Sequence, residues 1–212
     1  MSRSLYLLAA AVVVACSGCS LPESLYPLSD ETTSVLDERL IGHWQMVPRP
    51  DEPLEPPQVP PRFVFARMPG KRNVLEMVNL NLDGDEAKIE RTPAFGRALG
   101  EERYLSVLNN PEEPKEKHRY LILRYTLEGD VLKLFVLRGD VIGPAIERGD
   151  LKGEVVREMP DPNAPPPEQA VPKYKSIRIT AEPKELAEYL APRGAAPFHP
   201  QELFTVVRVE PK

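Results

Sequence analysis

The chain has 212 residues, 42% hydrophobic and 28% charged, with a formal net charge of −5; that is an ordinary globular balance. Its 25 prolines are more than twice the usual share, while its 12 glycines are few, which predicts stiff connections and a core that excludes the proline-rich stretches. The sequence has no basic stripe, RNP-like motif or zinc-finger spacing, so nucleic acid is excluded as a partner.

Residues 1–15 read as a signal peptide. Arg3 precedes LYLLAAAVVVA (residues 5–15), an uncharged apolar run of eleven residues. A bilayer core of about 30 Å needs roughly 20 helical residues, so the run is too short to span it, but it suits a signal-peptide hydrophobic region. The only two cysteines, Cys16 and Cys19, follow directly. A redox pair would want a helix N-terminus after it, and here Leu21-Pro22 follows. A zinc site would need two further ligands at suitable spacing, and only three scattered histidines exist. No metal and no cofactor are expected.

Val13-Val14-Ala15-Cys16 resembles the lipobox of bacterial lipoproteins at every position: an aliphatic residue, a small or aliphatic one, Gly or Ala, then Cys. Cys16-Ser17-Gly18-Cys19 matches at the two positions nearest the cysteine, but has Cys16 where an aliphatic residue is usual. The resemblance implies diacylglycerol on the thiol, cleavage before the cysteine and three acyl chains in all. Cys16 is the favoured attachment site and Cys19 the alternative. Serine follows either cysteine, which in lipoprotein sorting implies the outer membrane, with the protein facing the periplasm.

Residues 16–36 are rich in Ser, Thr, Pro and acids without sustained periodicity, and read as a flexible tether. A single domain is then expected over 37–212. It begins with a short helical turn at Asp37-Glu38-Arg39-Leu40 and a strand at 41–47 (IGHWQMV). Residues 48–61 hold seven prolines in fourteen positions and form a polyproline-like spacer. Strands are predicted at 62–68, 73–82, 87–92 and 103–108. Asp83-Gly84-Asp85 is a hairpin turn, and 93–100 an irregular or helical connection. The clearest hairpin joins 120–127 (YLILRYTL) to 131–137 (VLKLFVL) through Glu128-Gly129-Asp130.

Helical spacing then appears over 140–149, with Asp140 able to cap its start and Gly149 its end. A strand at 153–157 leads into a second proline-rich loop, 159–172, followed by a strand at 175–181. Residues 183–191 form the best helix, with Pro183 at its first position, before a final strand at 202–209. About ten strands and two short helices, joined mostly by tight turns, argue for an antiparallel β-barrel or a sandwich.

Gly42-His43-Trp44 contains the only tryptophan. It resembles the G-x-W that opens the first strand of lipocalins and related calycin barrels. That resemblance implies a calycin-like barrel and an arginine near the last strand covering the indole, the place held here by Arg208. It also implies, as one reading, a carrier for a small hydrophobic ligand. A binding or scaffold module for an envelope protein is the other. No catalytic constellation is legible, so no catalytic residue is assigned and the chain does not read as an enzyme. An envelope hydrolase would require His43 or His199 to meet a carboxylate or hydroxyl in a cleft.

Overall fold

A computed structural model describes residues 21–48, 60–83, 86–158 and 173–210. The expected signal peptide, Cys16, Cys19, Gly84 and Asp85 of the expected hairpin turn, most of the stretch 48–61 and the whole of 159–172 lie outside the described residues.

The runs of alternating apolar residues become a meander. Strands β2 (Gly42–Met46), β3 (Arg62–Arg67), β4 (Val74–Asp83) and β5 (Glu86–Leu99) pair antiparallel in sequence order. They continue through β6 (Glu102–Leu108), β7 (Tyr120–Glu128) and β8 (Val131–Val136). The last strand, β11 (Phe204–Val209), inserts between β8 and β2. Eight antiparallel strands therefore close on themselves, and the fold is a calycin-like β-barrel rather than a sandwich. The β7–β8 loop is the two-residue Gly129-Asp130, with Gly129 at φ +58, a left-handed conformation suited to glycine.

Side chains at alternate positions fill the barrel. Trp44, Phe63, Phe65, Leu75, Leu105 and Leu132 belong to one buried cluster. β6 is buried on both faces, because a second layer covers its outside. That layer is the excursion 137–203: α1 (Gly139–Glu147), β9 (Gly153–Arg157), β10 (Tyr174–Ile179) and α2 (Pro183–Leu190). Its core joins Ile142, Tyr174, Ile179 and Leu190 to Tyr104, Ile122 and Phe135 of the barrel wall. Gly143 lets α1 lie against β10, since a Cβ there would meet the Tyr174 ring at 2.3 Å.

Three expectations are corrected. Residues 93–100 are not an irregular or helical connection but the continuation of β5. Pro93 is tolerated there because pairing with β6 begins only at Ala94, which leaves one side of the strand free. Asp140 does not cap α1: Arg138 holds the cap position, and Asp140 binds its guanidinium instead.

The third correction concerns 16–36. From Leu21 onward this segment is a belt on the barrel, not a tether. Glu23–Ser24 form β1, parallel to β10 and meeting β7 at Tyr120. Leu28 is 1% exposed, and its N–H donates to Ser106 Oγ at 2.8 Å. Beyond Phe95, β5 outruns β4, and the belt takes its free edge. Gly96 N–H donates to Ser34 Oγ at 2.9 Å, while its carbonyl accepts from Ser29 Oγ and Val35 N–H, each at 2.9 Å. The unpaired edge is thereby satisfied.

A Cβ at Gly96 would stand 2.2 Å from the Val35 carbonyl oxygen. Gly96→Ala is therefore expected to lower stability by about 1–3 kcal/mol in denaturant titration and to speed proteolysis within 21–36. An unchanged midpoint and cleavage pattern would show that the belt is held elsewhere.

Candidate functional site

The base of the barrel is built from the first and last barrel strands. A 3-10 turn (Glu38–Leu40), capped by Asp37, crosses this end just before β2. Trp44 is 0% exposed, and its Nε1–H donates to the Leu40 carbonyl at 2.7 Å. The Arg208 guanidinium lies over the indole, 4.4 Å from the ring centroid. Its Nη1 donates to the Ile41 carbonyl at 2.7 Å, its Nη2 to the Arg39 carbonyl and its Nε to Asp130 Oδ1 at 3.0 Å. Gly42 has φ +144, and a Cβ there would lie 2.3 Å from Arg208 Nη1. The structure thus brings Gly42, Trp44 and Arg208 into one contact. Each hydrogen bond to a charged group is worth about 1.5–3 kcal/mol, and the cation–π contact about 0.5–2 kcal/mol.

Beside the base is a surface cleft of about 380 Å³, between the belt and the ends of β5 to β7. Tyr125 O–H donates to Asp37 Oδ2 at 3.0 Å. Asp37 also takes both Nε and Nη2 of Arg39, at 2.9 and 2.7 Å. The Arg39 hydrogen bond holds the Asp37 carboxyl below the usual carboxylate range, against the opposing effect of burial. Burial, with Asp37 alongside, pushes the Tyr125 phenol up. Arg103 spends its Nη1 on the carbonyls of Gly100 and Glu102.

The upper end of the barrel is more polar. Asn79 faces Phe63 on one side and Glu90 on the other in the cross-strand register, which puts it on the interior face. Thr92 is opposite Met77 on that face. Both are buried, yet Asn79 Oδ1 and Thr92 Oγ1 have no hydrogen-bond partner among the described residues. Leaving such an atom unsatisfied costs about 1–3 kcal/mol, and both atoms are closed to water-sized space.

The histidines do not converge. His43 lies on β2 between Val64 and Val209. His118 Nε2 is 2.9 Å from the Glu113 carbonyl oxygen. Burial and the nearby Arg138 lower the His199 pKa, with Asp140 opposing them. The Asp140 carboxylate is itself engaged by Arg138 Nε and Nη2. Among the described residues no group of three or more His, Cys, Asp or Glu is placed to hold a metal ion.

No family model, curated protein or solved structure matches this chain. Its chemistry must be read from its own residues. The sequence pointed to Gly42, Trp44 and Arg208 but not to Asp37 with Tyr125, which are 88 positions apart. Asn79 carried a signal in its alternation with Leu80.

Two results follow from the base. Arg208→Ala removes the cover and three donors, so stability should fall by about 2–4 kcal/mol, with a red shift of the single tryptophan's emission. Unchanged emission would show that the indole needs no cover. Asp37 has a folded pKa below its unfolded one, so the stability it contributes is present above pH about 4 and is lost as pH falls through the folded value. Asp37→Asn should therefore flatten the acid limb of the stability profile. An acid limb of wild-type slope would show that other carboxylates carry it.

Proposed function

We propose that this chain is an envelope lipoprotein, anchored by lipid on Cys16, with Cys19 the alternative. Its β-barrel works as a binding or scaffold module on the periplasmic face of the outer membrane. The observation that carries the anchor is Val13-Val14-Ala15-Cys16 at the end of an eleven-residue apolar run. One acyl chain binds a membrane only marginally, at about 0.8 kcal/mol per buried CH₂, whereas several chains hold it stably. Support for a scaffold comes from the base. Trp44 is 0% exposed, so no water-sized space touches the ring that would floor a ligand pocket.

A second reading rests on the upper end. Asn79 Oδ1 and Thr92 Oγ1, buried without partners among the described residues, would hold a small hydrophobic molecule bearing one hydrogen-bonding group if the barrel opened around them. Such a cargo would sit above Trp44, not on it.

Mass spectrometry of the membrane-extracted protein tests both readings. The expected result is an N-terminal peptide starting at Cys16 with diacylglyceryl and acyl mass, lost in Cys16→Ser and kept in Cys19→Ser. The reverse pattern would move the anchor to Cys19, and an unmodified N-terminus cut elsewhere would overturn it. In native spectra, a copurified small molecule that is lost in Asn79→Leu supports the carrier. A barrel free of any adduct in every preparation leaves the scaffold.

A further inference from the structure

The belt shortens the leash. The chain is engaged from Leu21, which packs against the barrel's interior cluster, and Pro22 is buried. Glu23 accepts a hydrogen bond from the Asn109 side chain, and Ser24 pairs with Tyr120. Leu25 N–H donates to the Ile179 carbonyl at 2.9 Å. Asn109 directly follows β6 and Tyr120 begins β7. Residues 21–24 are therefore fixed at the upper end of the barrel, opposite Trp44 and Arg208.

An extended chain spans at most about 3.3–3.6 Å per residue. Cys19 is two residues from Leu21, a reach of about 7 Å, and Cys16 is five residues away, a reach of about 17 Å. Each headgroup layer is itself about 5–8 Å thick, taking half the difference between the whole bilayer and its hydrocarbon core. A tether through residue 36 would have let the barrel stand clear of the lipid. Five residues do not.

We propose that the upper end of the barrel rests on the membrane, with the β6–β7 loop (residues 109–119) against the lipid headgroups. This rests on the lipid anchor proposed above. The loop carries Glu112, Glu113 and Glu116 against Lys115, Lys117 and Arg119, a formal charge of zero. Charge neither draws it to an anionic surface nor repels it. The short leash sets the orientation, so the contact is indifferent to salt. Cargo reaching Asn79 and Thr92 would then come from the lipid side.

Amine-labelling mass spectrometry of the full-length lipidated protein in phosphatidylcholine vesicles provides the test. Lys115 and Lys117 lie in the apposed loop, while Lys71 lies in the β3–β4 turn at the opposite end. The comparison is with a variant carrying about 20 Gly/Ser residues after Ser20, which lengthens the leash by roughly 25 Å. The expected result is several-fold slower labelling of Lys115 and Lys117 in the wild type than in the lengthened variant, with Lys71 equal in both. Equal labelling of the loop lysines in both proteins, with lipid mass present on Cys16 or Cys19, would overturn the orientation and leave the anchor standing. Protection that survives the insertion would overturn the leash as its cause. Absence of lipid mass in the same spectra would overturn the anchor, and the orientation with it.

Discussion

The cover that Arg208 places over Trp44 is the constraint on which the rest of the barrel depends. One guanidinium joins the last barrel strand to the first, binds the carbonyls of Arg39 and Ile41 ahead of β2, and reaches Asp130 in the β7–β8 turn. It ties three separate parts of the chain to one ring. The cover is possible only because residue 42 lacks a Cβ; any other side chain would occupy the space of Nη1. Gly42 and Arg208 are thus one device in two pieces.

The barrel avoids exposed edges in two ways. Closure removes them from the eight strands, and the belt covers the stretch of β5 that runs beyond β4. The excursion 137–203 then doubles the core, because β6 and β7 pack inward on Leu105 and Leu123 and outward on Tyr104 and Ile122. Arg124 shows how a charge survives between these layers. It stacks on Phe135 at 4.2 Å and pairs with Glu102 at 3.2 Å, so its charge has two partners, although its Nε–H has no hydrogen-bond acceptor among the described residues.

Much of this was legible. The strands from Trp44 to Val136 follow period-two alternation and turn residues, and Gly42, Trp44 and Arg208 could be picked out because the chain has one tryptophan. The belt was not legible, for a physical reason. Its serines have the composition of a linker, yet Ser24, Ser29 and Ser34 are all buried. The hydroxyls of Ser29 and Ser34 replace a neighbouring strand as hydrogen-bonding partners of Gly96, and such bonds impose no periodicity. A two-residue strand has no period to detect either. Pro93 misled because local rules forbid proline in a paired strand, and only the tertiary register shows that one side of it is free. Asp37 and Tyr125 meet only because the barrel closes, which no local pattern announces.

The order of strands around the barrel has a consequence for how the protein is made. β11 is the last barrel strand in the chain, yet it sits between β2 and β8. Until it arrives, the first seven barrel strands can form only a curved sheet with two raw edges, and Trp44 has no cover. A chain that emerges from its N-terminus therefore cannot lock prematurely. The barrel closes only once its final segment has emerged, and until then those two edges stand open to pairing with other strands.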